Sequence, residues 1–294
     1  MRRRAATRPS PRARASRLTF VLPCVLAAHA CASPAAIRRF SASATEVTAR
    51  LPDVADAMSR SCHTTASYRL RRSAQWFGDD SVRAACIGRD SAMRSVARAG
   101  HVLADYFAAL QSLAGDKVPD LDAALSSFGA GVAEAGGFDE HQVGAINALA
   151  KFAASRAADG YRRRRLRDAI VSQNENVQIV TAAIHDILDD DFGRFLANDA
   201  LAQTSFYRSA LTESAARDPL TAILVRDSYD EREAALAERT RAVRALAQAM
   251  LTVGRGHQAL YDARDHFGGK GLLAAISTNA RELDTAMKRV EKAF

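Results

Sequence analysis

The chain has 294 residues, 48% of them hydrophobic and only 6% aromatic, with 41 Lys and Arg against 33 Asp and Glu for a formal charge of +8. Seven of the basic residues are arginines within the first seventeen positions, so the rest of the chain is nearly neutral, about 34 basic against 33 acidic. This argues against a nucleic-acid partner, because the excess charge sits in one terminal segment and no stretch interleaves aromatic residues with Lys or Arg as base-stacking surfaces do.

The arginines at 2, 3, 4, 8, 12, 14 and 17 precede an apolar run of eleven residues from Leu18 to Ala28, with no acid among them. That run is too short to span a bilayer and has the layout of a secretory signal. Ala28 and Ala30 flank His29 as a cleavage pattern, and a cut after Ala30 leaves Cys31 as the first mature residue. On Ala28-His29-Ala30-Cys31 the chain resembles bacterial lipoproteins, whose lipobox ends in a cysteine that is diacylated before cleavage. Ala stands where Leu is usual and His where a small residue is usual. The resemblance implies a lipid on Cys31 and a periplasmic protein anchored to the outer membrane, with residues 1–30 removed. Plain secretion, with a cut after Ala30 or Ala32, is the other reading, and Val21-Leu22-Pro23-Cys24 is set aside because proline occupies the cut point.

With Cys24 and Cys31 assigned to the leader, Cys62 and Cys86 are the remaining pair. An oxidising compartment makes a disulfide between them the expectation, with two separate buried thiols as the alternative. A loop of that length closed by a disulfide contributes about 3.5 kcal/mol in the chain-entropy account.

Residues 31–44, rich in Ala and Ser, read as a tether, and residues 45–294 as a single α-helical bundle. Val47, Leu51, Val54 and Met58 recur with a helical period, and Pro52 marks a kink or restart. A second stripe runs from 80 or 81 to 114 through Cys86, Met93, Val96, Leu103, Tyr106, Phe107 and Leu110. On this reading the cysteines clamp a helical hairpin near its turn, with the stretch after Cys62 as a loop. A shorter segment carries Leu121, Leu125, Phe128 and Val132 and ends at Gly136-Gly137. Asp139 then caps a helix with Val143, Ile146, Leu149 and Phe152 inward, continuing past Gly160 through Val177 to Ile187, where "DDDFG" interrupts or bends it. Leu201, Phe206 and Leu211 mark the next segment. Asp218-Pro219 starts a long helix, with apolar positions from Leu220 to Tyr261. After the turn "FGGKG", the last helix shows Leu272, Ile276, Asn279, Leu283, Met287, Val290 and Phe294, spaced to fold back antiparallel on its predecessor. The fold class is therefore all-α, an extended antiparallel helical bundle with long coiled-coil-like helices.

Motifs for nucleophilic catalysis and zinc binding are missing, so the expectation is a protein that is not an enzyme and carries no cofactor. "FGGKGLL" lacks the spacing of a phosphate loop and reads as a helix stop. "HDILDDDFG" sets His185 and Asp189 four apart among further aspartates. The glycine and position-twelve residue rule out a calcium hand, leaving a loose metal site as the alternative to a solvated acidic turn. Arg162, Arg163, Arg164 and Arg165 form a possible anionic-partner patch, against the plainer reading of a solvated face paired with Asp168 and Glu175. Gly254 and Gly256 within a strong helix permit a bend or a close helix approach, beside His257.

The phrases "GHVLADYFAALQSLAG" and "GRGHQALYDAR", with the cysteine pair and leader, are similar to uncharacterised helical lipoproteins of Gram-negative bacteria. The resemblance implies an all-α envelope protein and transfers no functional residue. The expected function is macromolecular binding, to an envelope protein or polymer, by a helical protein held to the membrane through its N-terminal lipid. The runner-up is a periplasmic metal- or small-ligand-binding helical protein.

Overall fold

The computed structural model describes residues 22–71, 79–115, 137–156 and 163–294, and the regular secondary structure among them is all helical. They are α1 (Leu22–Thr48), α2 (Leu51–Arg71), α3 (Asp79–Leu113), α4 (Glu140–Arg156), α5 (Arg163–Asp186), α6 (Gly193–Ala215), α7 (Pro219–Asp262) and α8 (Lys270–Ala293). A π-helical segment, Ile187–Phe192, joins α5 to α6 where "DDDFG" was expected to interrupt the helix.

Local chemistry sets several boundaries. α2 restarts at Leu51 after a two-residue turn, with Pro52 in its first turn, where a missing N–H breaks no helical bond. Asp139 and Gln142 form a reciprocal cap at the start of α4, the Gln142 amide donating to Asp139 Oδ1 at 2.8 Å and the Asp139 amide to Gln142 Oε1 at 3.0 Å. Asp218 caps α7 through the amides of Leu220 and Thr221, ahead of Pro219 at the first turn. Its hydrogen bonds to Thr221 hold the Asp218 carboxyl below the usual carboxylate range.

The helices pack around one continuous core. α3 lies against α1, α2 and α4; α7 lies against α5, α6 and α8; and α1 closes on α8. Phe40, Leu51, Leu103, Tyr106, Phe107, Leu149, Ile170, Met250 and Leu283 are all fully or almost fully buried within it. Each such side chain contributes roughly 1.5–3 kcal/mol relative to remaining in water. The closest helix contacts need glycine. A Cβ on Gly100 of α3 would come within 2.6 Å of Leu51 Cβ, and one on Gly254 of α7 within 2.9 Å of Thr181 Oγ1 on α5. α7 and α8 run antiparallel, pinned by Arg255 to Glu282 at 3.1 Å and Lys292 to Glu238 at 3.6 Å.

Four expectations need correction. The tether is helical, and its C-terminal part belongs to the core: Ile37, Phe40 and Ala44 are buried, an i, i+3, i+7 stripe that alanine and serine neighbours conceal. Cys62 lies inside α2, which runs on to Arg71, because Cys62, Ala66 and Leu70 continue an i, i+4, i+8 face against Val82 and Cys86. The supposed continuous helix from 139 to 187 is instead two, α4 and α5, which pack on each other. Leu220, Ile223 and Leu224 are 58–67% exposed, so the buried seam of α7 begins at Leu236. The first turns of α7 lean on α6 through polar contacts, Tyr207 to Ser228 at 3.1 Å and Thr204 to Tyr229 at 3.3 Å. Leu121, Leu125, Phe128 and Val132 lie outside the described residues. No helix among those described is long and apolar enough to cross a membrane.

Candidate functional site

The outer surface of the α7–α8 pair carries a groove of about 960 Å³. Its floor is made by Ala245, Ala249 and Ala286, whose small side chains leave the channel between the two helix axes unfilled. Its walls carry Arg241, Arg244 and Arg255 from α7 and Arg281 and Arg289 from α8, all exposed. Spacings of three, four and multiples of a turn keep each set on one face of its helix, which is why residues 48 positions apart in sequence meet here. Gln248, Thr252, Thr278 and Thr285 add hydrogen-bonding groups.

Against five guanidinium groups the lining holds one carboxylate, Glu282. Arg255 donates to Glu282 Oε2 at 3.1 Å and to Thr252 Oγ1 at 2.8 Å. Arg241 pairs with Glu238 beyond the lining, and this bond, with further help from Lys292, holds the Glu238 carboxyl below its usual range. Arg281 spends its donors on Ser277 O and Thr278 Oγ1, at 3.2 and 3.3 Å. Among the described residues, no carboxylate pairs with Arg244, Arg281 or Arg289. The groove thus carries net positive charge, with three of its five arginines lacking a carboxylate partner and donors in the planar fork that matches carboxylate or phosphate.

The residues singled out from sequence lie elsewhere. Arg162 is outside the described residues, Arg163 and Arg164 form the first turn of α5, and Arg165 sits half-buried without lining the groove. Their neighbour Arg167 reaches Asp265 at 2.7 Å, lowering that carboxyl and holding the α7–α8 turn against α5. His185 donates from Nδ1 to the Ala247 carbonyl at 2.9 Å, so one ring nitrogen already serves the α5–α7 contact. Asp189 is exposed in the π-helical segment, whose wider turn alters the simple i, i+4 relationship to His185. Among the described residues, no three His, Cys, Asp or Glu side chains gather as a metal ion would require. Cys31 lies within α1, and Cys62 and Cys86 are joined, with Cα atoms 6.0 Å apart.

His257 belongs to the core. It is fully buried, with Nδ1 2.9 Å from Asn174 Oδ1 and Nε2 2.6 Å from the Tyr106 hydroxyl. The amide oxygen can only accept, so Nδ1 carries the proton and Nε2 accepts from tyrosine. Burial holds this imidazole neutral, with its pKa lowered to about 3, and raises that of Tyr106.

Sequence reasoning passed over the groove because its arginines are scattered across 49 positions, whereas 162–165 is a visible run. Plotting α7 and α8 as antiparallel helices side by side would have found it. No protein-family model, curated protein or solved structure matches the chain.

Proposed function

We propose that the protein is a lipid-anchored, non-enzymatic component of the Gram-negative cell envelope that binds an acidic polypeptide segment in the arginine-lined groove between α7 and α8. The observation that carries this reading is the imbalance of five arginines to one carboxylate along a continuous channel. An alanine floor favours a polypeptide over a lipid surface, because a narrow apolar bed between cationic walls suits a chain with apolar and acidic side chains. A bilayer-binding face would instead present projecting aromatic or leucine side chains beside its cations.

The placement of Pro34 supports the anchor. Inside a helix that starts at Leu22, Pro34 removes one hydrogen bond and its ring crowds the carbonyl of Ala30, a disruption worth about 3 kcal/mol or more. A cut after Ala30 removes that carbonyl and leaves Pro34 in the first turn, where its missing N–H is already an orphan. Five residues then separate Cys31 from Ile37, the first core side chain among the described residues. As helix, the six-residue step spans about 9 Å, which holds the bundle against the membrane.

The test is titration of a fluorescein-labelled acidic helical peptide, followed by anisotropy, beside vesicles of phosphatidylglycerol. The peptide is expected to bind with an affinity that falls as salt rises, and Arg244→Glu with Arg289→Glu to abolish binding while leaving the helical circular dichroism unchanged. Binding to the vesicles without binding to the peptide would replace the polypeptide partner with a membrane surface.

A further inference from the structure

A second cavity, of about 360 Å³, opens between α2, α6, α7 and the C-terminal end of α8, where Ala293 and Phe294 line it, and shares no lining residue with the arginine groove. Its polar lining is buried to an unusual degree for a surface indentation: Ser61, Thr65, Asp199 and Gln203 are 3–9% exposed. The Asp199 carboxylate is bound on one side only. Its Oδ2 accepts from the Ser61 hydroxyl at 2.5 Å and faces Arg89 of α3 at 3.5 Å. Arg89 is itself fixed over the Phe195 ring, 4.0 Å from its centroid. Oδ1 is buried and has no hydrogen-bond partner, and neither have Nη1 of Arg89, which faces the carboxylate, and the hydroxyl of Tyr68 in the cavity wall. A buried carboxylate oxygen without a donor is rare in folded proteins and marks a place for a group that is absent from the chain itself.

Three arginines stand over this floor, Arg60 from α2 and Arg232 and Arg239 from α7. Arg60 and Arg232 are exposed and Arg239 is half-buried. Tyr68 forms a wall, its ring stacked on Phe206 at 4.7 Å. Arg89 already balances the charge of Asp199, so the floor needs a hydrogen-bond donor and not a cation, and hydroxyl groups on Ser61, Thr64, Thr65 and Tyr68 repeat that preference. The rim asks for an anion.

We infer that this cavity binds a small polyhydroxylated acid, one hydroxyl donating to Asp199 Oδ1 and the acidic group held by Arg232 and Arg239. The site is separate from the α7–α8 groove and does not rest on the function proposed for it. The acid that the rim would recognise is a carboxylate or a phosphate, as in a sugar acid or a sugar phosphate.

The experiment is calorimetric titration of the purified full chain with glucuronate, glucose 6-phosphate, glucose and inorganic phosphate. Glucuronate or glucose 6-phosphate is expected to bind, the tighter of the two naming the acidic group. Glucose and inorganic phosphate, each lacking half of the recognised chemistry, are expected to bind at least about tenfold more weakly. Arg232→Gln with Arg239→Gln, at exposed and half-buried positions, should weaken the acid by about tenfold or more with helicity unchanged, and Asp199→Asn should do likewise where it folds. Absence of binding by both acids, equal affinity for inorganic phosphate and glucose 6-phosphate, or indifference to the double arginine substitution would overturn the assignment.

Discussion

The ring of Phe40 occupies the space that a side chain on Gly256 would need: a Cβ there would lie 2.2 Å from Phe40 Cε2 and 2.3 Å from Cζ. α1 and α7 can approach at this point only because residue 256 has no side chain. Gly256→Ala is therefore expected to destabilise the fold by about 1–3 kcal/mol in urea unfolding, even though alanine is the better helix former by about 1 kcal/mol. Gly144 in α4 has nothing within 4 Å of such a Cβ, and Gly144→Ala should stabilise by up to about 1 kcal/mol. Like signs for the two substitutions would refute the close-packing account.

His257 predicts the acid sensitivity of the core. Its folded pKa of about 3 lies below the ordinary value of 6.5, so the unfolded chain takes up a proton that the folded chain refuses. The resulting stability is complete above about pH 6.5 and is lost as pH falls toward 3. Between pH 7 and 5 the loss from this group is about 2 kcal/mol. His257→Gln keeps a hydrogen-bonding side chain and cannot titrate, so its unfolding free energy should fall over that interval by about 2 kcal/mol less than that of the native protein. Parallel pH profiles for the two would show that the imidazole is not the sensitive group.

The bridge between Cys62 and Cys86 ties α2 to α3 beside a small satellite cluster of Ala66, Leu70 and Val82. Replacing both cysteines by alanine is expected to cost about 3.5 kcal/mol through the freer unfolded chain. Alkylation of the unreduced protein, read by mass spectrometry, should label neither residue.

Export and lipidation predict that the protein takes up labelled fatty acid in a Gram-negative host and sediments with membranes, and that Cys31→Ser blocks both. Pro34→Ala adds a stability readout. In a chain beginning at Cys31 it should change unfolding free energy by less than about 1 kcal/mol, whereas in an uncut helix it should stabilise by about 3 kcal/mol. A mature terminus at Ser33 without lipid would rule out the anchor.

Much of the helical architecture was legible in the sequence, since an apolar stripe of period 3.6 is a local property. Leu103, Tyr106, Phe107 and Leu110 announce α3 with no knowledge of what they touch, and the Asp218-Pro219 cap announces α7 in the same way. The disulfide was expected from the two cysteines left once Cys24 and Cys31 were assigned to a leader, and the structure joins them. Where local polarity masked the stripe, as at Ile37, Phe40 and Ala44, the chain read as a tether although it enters the core.

Partnership between distant helices was decided by tertiary packing. Nothing near Gly256 in sequence names Phe40, and nothing near His257 names Tyr106 or Asn174, because these contacts depend on which faces of α1, α3, α5 and α7 meet. The same holds for the groove and the cavity: Arg244 and Arg289 line the one, and Ser61 and Asp199 line the other, across 45 and 138 positions. Helical periodicity is fixed by the backbone within a few residues, whereas a surface assembled from several helices exists only once their axes have been packed together.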